Sequence, residues 1–135
     1  MASPDLELQG AIVAHLKNYA PLTALVGQKI YDRPPATAQE PYVDIGEAQC
    51  LRADAECVDG QEVYLTLHAW STYAGGFMEV KQVADAVVQA LHQYPLVLPT
   101  NRLVSINHRN TMTFRDPDGI TSHAAIRFIA FTERL

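Results

Sequence analysis

The stretch from residue 62 to residue 91 constrains the fold more than any other part of this sequence, because two clean periodicities follow one another in it. Residues 63–70 alternate apolar and mixed side chains, which predicts a strand with one core face and one amphipathic, partly covered face. Residues 77–91 repeat apolar side chains at spacings of three and four, which predicts an amphipathic helix. The predicted core face of the strand consists of Val63, Leu65, Leu67 and Ala69, and the helix stripe of Phe77, Val80, Ala84, Val87 and Leu91.

Composition is typical of one folded domain over residues 1–135. Hydrophobic residues make up 48% of the chain and charged residues 19%, which argues against disorder. A formal charge of −5 predicts no general attraction to nucleic acid or to anionic membranes. No apolar run approaches the roughly 20 residues that cross a bilayer, and Asp5 and Glu7 argue against a secretory signal.

The region before the central unit predicts two helices and a short strand. Ser3-Pro4-Asp5 is typical of a helix start, and Leu8, Ile12 and Leu16 place an apolar stripe on the helix that follows. Residues 22–26 predict a short second helix that Gly27 ends, and residues 29–31 a short strand. Three prolines in residues 33–41 predict a loop.

The remaining segments predict β structure. Residues 42–48 alternate as a strand does, residues 51–60 are interpreted as an acidic connection, and Leu96-Val97-Leu98 as a short edge strand between prolines. Further strands are predicted over residues 102–115 and 120–132, with a turn at Asp116-Pro117-Asp118-Gly119. Apolar side chains on both faces place the last strand near the middle of the sheet. The predicted fold class is α+β: an antiparallel or mixed sheet on which an N-terminal helix and the central amphipathic helix pack.

No catalytic, cofactor or metal site is predicted. The five histidines lack the spacing of zinc ligands, and Gly75-Gly76 precedes a helix without a P-loop lysine or a dinucleotide-binding glycine pattern. His68, Asp44 and Ser71 suggest a triad, but no nucleophile elbow surrounds the serine. Cys50 and Cys57 are expected to stay reduced, while a disulfide between them is open if the intervening loop doubles back.

Charge is distributed unevenly along the chain. Residues 40–62 carry seven acidic residues and one arginine, a formal charge of −6, whereas residues 102–135 carry five arginines and three acidic residues, a charge of +2. These segments are compatible with ordinary solvated surfaces. The sharper hypothesis is that an acidic edge of one subunit meets an edge bearing Arg109 and Arg127 on the next, a heterologous contact that can close into a ring.

Several short patterns occur in one order along the chain. They are Leu25-Val26-Gly27-x-x-Ile30-Tyr31, Pro34 followed by Pro41-Tyr42-Val43, Leu65-x-Leu67-x-x-Trp70-Ser71, Glu79-x-Lys81-x-x-Ala84 with Ala90-Leu91, and Asp116-x-Asp118-Gly119-x-Thr121-x-His123. None of them is a catalytic motif. In this order the chain resembles, over nearly its whole length, the tail-completion or tail-terminator proteins of long-tailed bacteriophages and of gene transfer agents.

The resemblance implies a structural role. Such proteins form a hexameric ring on the head-proximal end of the tail tube, stop its polymerisation and offer a surface to the head connector. The implied partners are other copies of the chain, the major tail tube protein and the connector or stopper protein, without a membrane. The implied location is the bacterial host cytoplasm during assembly, and then the head–tail junction of a virion or gene transfer agent particle. No cofactor and no catalytic residue are carried over.

DNA passes through such a ring without sequence-specific binding, so a neutral or acidic lumen is expected. The sequence-based hypothesis therefore places Asp54, Glu56 and Asp59 toward the lumen or the tube. Two alternatives stay open at this point. The chain is compatible with a minor connector protein on the head side, and with a small cytoplasmic α+β enzyme or ligand-binding domain that uses His68 or Trp70.

Overall fold

The computed structural model describes residues 3–135 and shows three helices with one five-stranded sheet, which confirms the predicted α+β class. Within these residues no helix has the length and apolar character that crossing a membrane requires. The elements in chain order are α1 (Pro4–Lys17), α2 (Ala20–Val26), β1 (Ile30–Tyr31), β2 (Tyr42–Arg52), β3 (Asp59–Ser71), α3 (Met78–Leu91), β4 (Asn101–Arg115) and β5 (Ser122–Arg134).

The sheet is mixed, with the strand order β1-β2-β3-β5-β4. The short β1 pairs with β2 in parallel, and the other neighbouring strands are antiparallel. β5 lies between β3 and β4, so the prediction of an interior last strand is confirmed. The sheet therefore has two outer edges, one formed by β4 and one by β1 together with the part of β2 beyond it.

The hydrophobic core lies between one face of the sheet and the helices. The predicted core face of β3 is buried, with Val63, Leu67 and Ala69 at 0% exposure, and it packs with Phe128 and Ile126 of β5. The stripe of α3 is also confirmed, since every predicted member within the helix is buried. Matching a strand of period two to a helix of period 3.6 buries both apolar faces at once.

The N-terminal helix begins as predicted and is attached to the start of β4. The Ser3 hydroxyl accepts a hydrogen bond from the backbone N–H of Leu6. One turn later, the Glu7 carboxylate accepts hydrogen bonds from the backbone N–H groups and the side chains of Thr100 and Asn101. Glu7 is 9% exposed, so a buried carboxylate connects the beginning of the chain with its β-rich second half.

Two predicted boundaries are wrong, and local hydrogen bonds explain both. The acidic connection predicted over residues 51–60 is largely a β-hairpin, because β2 continues to Arg52 and β3 begins at Asp59. Only residues 53–58 connect the strands. The last strand begins at Ser122, since the Asp118 carboxylate accepts hydrogen bonds from the backbone N–H groups of Ile120 and Thr121 and holds both in the turn.

The short edge strand predicted at Leu96-Val97-Leu98 is also wrong. The segment is irregular, although its side chains alternate as predicted: Leu96 and Leu98 are buried while Val97 is 87% exposed. The prolines at positions 95 and 99 lack the N–H groups that a sheet ladder requires. The alternation seen in the sequence therefore reflects burial against the core and not strand pairing.

Candidate interaction surface on the open face of the sheet

The face of the sheet that points away from the core is not covered by a helix, and we call it the open face. Register places Thr66, Arg127 and Asn110 side by side across β3, β5 and β4 on this face. The amphipathic face predicted for β3 lies here and is half-buried by neighbouring side chains alone. The open face consists of Asp44, Glu47, Gln49, Tyr64, Thr66, His68, Trp70, Asn110, Met112, Phe114, His123, Ala125, Arg127 and Ile129.

A row of titratable side chains crosses one end of the open face, and we call it the histidine chain. Nδ1 of His68 lies 2.6 Å from Nε2 of His123. The other ring nitrogen of His68, Nε2, lies 2.9 Å from Oε1 of Glu47. Nδ1 of His123 lies 3.7 Å from Oδ1 of Asp116. Two imidazoles between two carboxylates can therefore hold and share a proton across three strands.

A β-bulge in β2 creates the space for this arrangement. The register between β2 and β3 slips between Ile45 and Ala48, which turns Glu47 toward His68. A Cβ atom at Gly46 would lie 2.4 Å from the His68 ring and 2.7 Å from the backbone oxygen of Thr66. Only glycine allows the imidazole to lie this close to the backbone of β2.

Aromatic rings surround the histidine chain. The indole of Trp70 stacks on the His123 ring at a centroid distance of 3.8 Å, and Phe114 lies 4.5 Å from the same imidazole. Nε1 of Trp70 donates a hydrogen bond of 2.9 Å to Asp44. These contacts restrict the His123 ring and make this end of the open face partly apolar.

Burial and neighbouring charges shift the ionisation of this cluster. Desolvation, followed by the positive charge that His68 can carry, lowers the pKa of His123. The hydrogen bond from His68 is the largest cause that lowers the pKa of Glu47. Burial raises the pKa of Asp44, against the opposing effect of the Trp70 hydrogen bond. The cluster thus favours a neutral His123 on one side of His68 and an ionised Glu47 on the other.

The triad suggested by the sequence is not formed. Ser71 and His68 are separated by three positions on one strand, so their side chains lie on opposite faces of the sheet. The Ser71 hydroxyl donates a hydrogen bond to Glu79 at the start of α3, and Asp44 accepts from Trp70. The same residues therefore anchor a helix and orient an indole.

A concave region, which we call the arginine hollow, lies beside the histidine chain on the open face. It has a volume of about 370 Å³, and its lining includes Arg109, Arg127, Tyr64, Thr66, Gln49 and the carboxylate of Glu47. Register brings both predicted arginines to the same place, because Arg127 pairs with Asn110 and Arg109 lies in the adjacent bulge of β4. Both arginines are exposed, and within residues 3–135 neither has a carboxylate at ion-pair distance.

The predicted acidic residues lie apart from the hollow, at the end of the β2–β3 hairpin. We call residues 52–59 the acidic tip. Nη1 of Arg52 lies 3.3 Å from Asp54 and 3.2 Å from Asp59, and Arg134 also approaches Asp59 at 3.6 Å. Glu56 lies in the exposed turn and, within the described chain, has no ion-pair partner. The tip therefore keeps an excess of negative charge, concentrated at its turn.

Other chemistry-bearing residues do not assemble into a site. Within residues 3–135, no group of three or more histidine, cysteine, aspartate or glutamate side chains is arranged to hold a metal ion. Cys50 and Cys57 are both exposed free thiols, so the disulfide left open by the sequence is not formed.

Sequence reasoning missed the histidine chain, whose members come from three strands and a turn. Alternation alone could have placed His68 on the second face of β3. Its contact with His123, 55 positions away, depends on the pairing of β3 with β5.

Comparisons with known proteins agree with this fold over nearly the whole chain. The sequence model of the family "Tail completion protein gp17" matches residues 10–133. The tail completion protein gp17 of Bacillus phage SPP1 is 27% identical over 125 residues, which cover 93% of this chain and 90% of that protein.

Solved structures are similar as well. A chain in the virion of a native gene transfer agent particle superposes with a TM-score of 0.90 at 28% identity, covering 98% of this chain and 99% of that one. The structure of SPP1 gp17 gives a TM-score of 0.62 at 24% identity over 93% of this chain and 88% of that one, a likeness of fold. Since the family match spans far more than half of the sequence, this chain belongs to the tail completion protein gp17 family of structural proteins.

Proposed function

We propose that this protein is a structural subunit of a virion or gene transfer agent particle, and that it forms a homo-hexameric ring at the head–tail junction. The ring caps the head-proximal end of the tail tube, stops polymerisation of the tube and joins it to the head connector. The observation that carries the proposal is the family match over residues 10–133, supported by the TM-score of 0.90 with a chain of a gene transfer agent virion.

The geometry suits a ring subunit for a physical reason. One face of the sheet is closed by helices, whereas the open face and the edge of β4 present polar and aromatic groups to the surroundings. Exposed Met112 and Phe114 lie on the same face as the charged Arg109 and Arg127. A central apolar contact with charged groups beside it is the usual composition of a specific protein interface.

The predicted positions of the charged residues are part of the proposal. Arg109 and Arg127 lie at a contact with the next subunit, and the segment that carries Asp54, Glu56 and Asp59 lies either at that contact or on the side of the lumen or the tube. An acidic or neutral wall lets DNA slide through the ring, because phosphates find no excess of cations to bind. Assembly takes place in the bacterial host cytoplasm, and the protein then remains at the head–tail junction of the virion or gene transfer agent particle.

Deletion of the gene tests this function by electron microscopy of the particles. We expect tails of uncontrolled length, restored to normal length by the wild-type gene, because the growing tube loses its cap. Full heads that leak DNA beside tails of normal length would contradict the capping role and favour a minor connector protein on the head side. Purified protein mixed with tail tubes should form six-fold rings at one tube end.

A further inference from the structure

The arginine hollow and the acidic tip are complementary in charge but cannot meet within one subunit. Arg127 pairs with Thr66, and Thr66 lies seven residues from Asp59 at the base of the tip on one strand, so the arginine end of the hollow is about 23 Å from the tip at ~3.3 Å per residue. The tip cannot fold back, because hydrogen bonds join Ala53 to Gly60 and Ala55 to Val58 across it. Any contact between tip and hollow therefore joins two copies of the chain.

We propose that the acidic tip of one subunit inserts into the arginine hollow of the next, with Glu56 bound between Arg109 and Arg127. This inference rests on the proposed ring and specifies its subunit contact. Every subunit carries one tip and one hollow at different places, so the contact is heterologous. A heterologous contact leaves one free tip and one free hollow in any open assembly, and both are used up only when the ring closes.

Charge supports this occupant. Asp54 and Asp59 already contact Arg52, so their charges are partly compensated within the subunit. Glu56 is the acidic residue of the tip without such a partner among the described residues. Arg109 and Arg127 have no carboxylate at ion-pair distance there, and only the more distant Glu47 in the hollow balances part of the charge of Arg127. A carboxylate between two guanidinium groups forms charge-assisted hydrogen bonds, which are stronger than those between neutral groups.

Size and surroundings support it as well. The hollow, at about 370 Å³, lies near the lower end of the ~300–1,000 Å³ typical of ligand pockets, so it admits the end of a turn but not a whole element. Met112 is 52% exposed on the same face and offers apolar area beside the charged contact. The chain's formal charge of −5 disfavours DNA as the occupant.

A disulfide cross-link tests the contact in a nearly unchanged protein. Cys57 follows Glu56 in the exposed turn, and Asn110→Cys introduces a second thiol into the lining of the hollow. In a Cys50→Ser background, mild oxidation of the assembled protein on tail tubes should give a ladder of covalently linked subunits. Gln82→Cys on the exposed side of α3 is the matched control and should give none. Equal cross-linking of both variants, or none with Asn110→Cys, would overturn the proposal.

Charge reversal tests the ion pairs directly. We expect the double variant Arg109→Glu/Arg127→Glu to weaken subunit association at least about tenfold, since it places like charges in contact. Glu56→Arg alone should weaken it too, whereas Glu56→Arg combined with the reversed hollow should restore much of it. The measurement is the fraction of assembled rings by native mass spectrometry and electron microscopy, with circular dichroism to verify folding.

The outcomes separate this inference from the proposed function. If the variant Arg109→Glu/Arg127→Glu forms the same fraction of assembled rings as the wild type, the tip lies elsewhere, for example toward the lumen. That result would overturn the contact and leave the capping role intact. Wild-type protein that never assembles on tail tubes would instead contradict the ring itself.

Discussion

At the scale of single residues, the histidine chain is the most constrained feature of the molecule. His68 lies in hydrogen-bond contact with both Glu47 and His123, and the stacked Trp70 limits movement of the second ring. Once one imidazole is protonated, its charge opposes protonation of the other at 2.6 Å. The histidine chain therefore resists taking up a second proton as long as the protein is folded.

Acidification should consequently destabilise the protein before its carboxylates titrate. The pKa of His123 is lowered in the fold, so below about pH 6.5 the unfolded chain binds a proton that the folded one does not. Stability is then present above this pH and is lost as the pH falls toward the folded pKa. The lowered pKa of Glu47 acts in the same direction at still lower pH.

Thermal melting between pH 8 and pH 5 measures this effect. The melting temperature of the wild type should fall with pH, and His123→Asn should flatten the dependence because the shifted group is gone. His108→Asn removes a histidine that does not belong to the histidine chain. This variant should keep the wild-type slope, since His123 is unchanged. Parallel slopes for the wild type and His123→Asn would contradict the assignment.

At the scale of elements, the contact of β3 with α3 forms the centre of the hydrophobic core. β3 is hydrogen-bonded on both sides, to β2 and to β5, and its core face packs beneath the apolar stripe of α3. The hairpin of β2 and β3, which ends in the acidic tip, continues directly from this packed part of β3. A weakened core strand would therefore lower stability and blur the position of the tip.

Leu67→Ala should lower the free energy of unfolding by about 2–5 kcal/mol, because it leaves a cavity at a site with 0% exposure. Leu6→Ala makes the same chemical change on α1 at 63% exposure and should cost less than about 0.5 kcal/mol. Urea denaturation followed by circular dichroism measures both values. Equal losses for the two variants would show that β3 is not the centre of the core.

At the scale of the whole molecule, Glu7 joins parts of the chain that are distant in sequence. Its carboxylate, on α1, accepts hydrogen bonds from residues 93 and 94 positions away, at the beginning of β4. The largest cause that lowers the pKa of Glu7 is the hydrogen bond from the Thr100 side chain. The ionised carboxylate thus fastens the N-terminal helix to the far edge strand of the sheet.

Glu7→Gln should lower the melting temperature at pH 7. Four hydrogen-bond donors share the two oxygens of the Glu7 carboxylate, whereas the glutamine amide has only one acceptor oxygen. The difference from the wild type should shrink as the pH falls below the ordinary pKa of 4.5 toward the lowered pKa of Glu7 in the fold, because the native carboxylate becomes protonated there. Glu56→Gln removes the same charge from an exposed turn and serves as the control. Equal shifts in the two variants would contradict the role assigned to Glu7.

Local patterns determined the elements that depend on neighbouring residues. The alternation in β3, the stripe of α3 and the helix start at Ser3 were predictable, because each arises from contacts within a few residues or from burial of one face. The same reasoning failed at Leu96-Val97-Leu98, where alternation reflects burial without strand pairing. The sequence also predicts that β2 ends at residue 48, whereas pairing with residues 61–64 of β3 extends the strand to Arg52.

Sequence alone thus determined the α+β class, the core faces and the uneven distribution of charge, and it carried the family resemblance that the comparisons confirmed. Only the tertiary structure decided which charges and rings become neighbours. Strand order brings His68 to His123, and the bulge of β4 brings Arg109 beside Arg127, while the hairpin keeps Glu56 away from both arginines. The physical reason is that strand pairing joins residues across dozens of positions, and no local periodicity records which strands will pair.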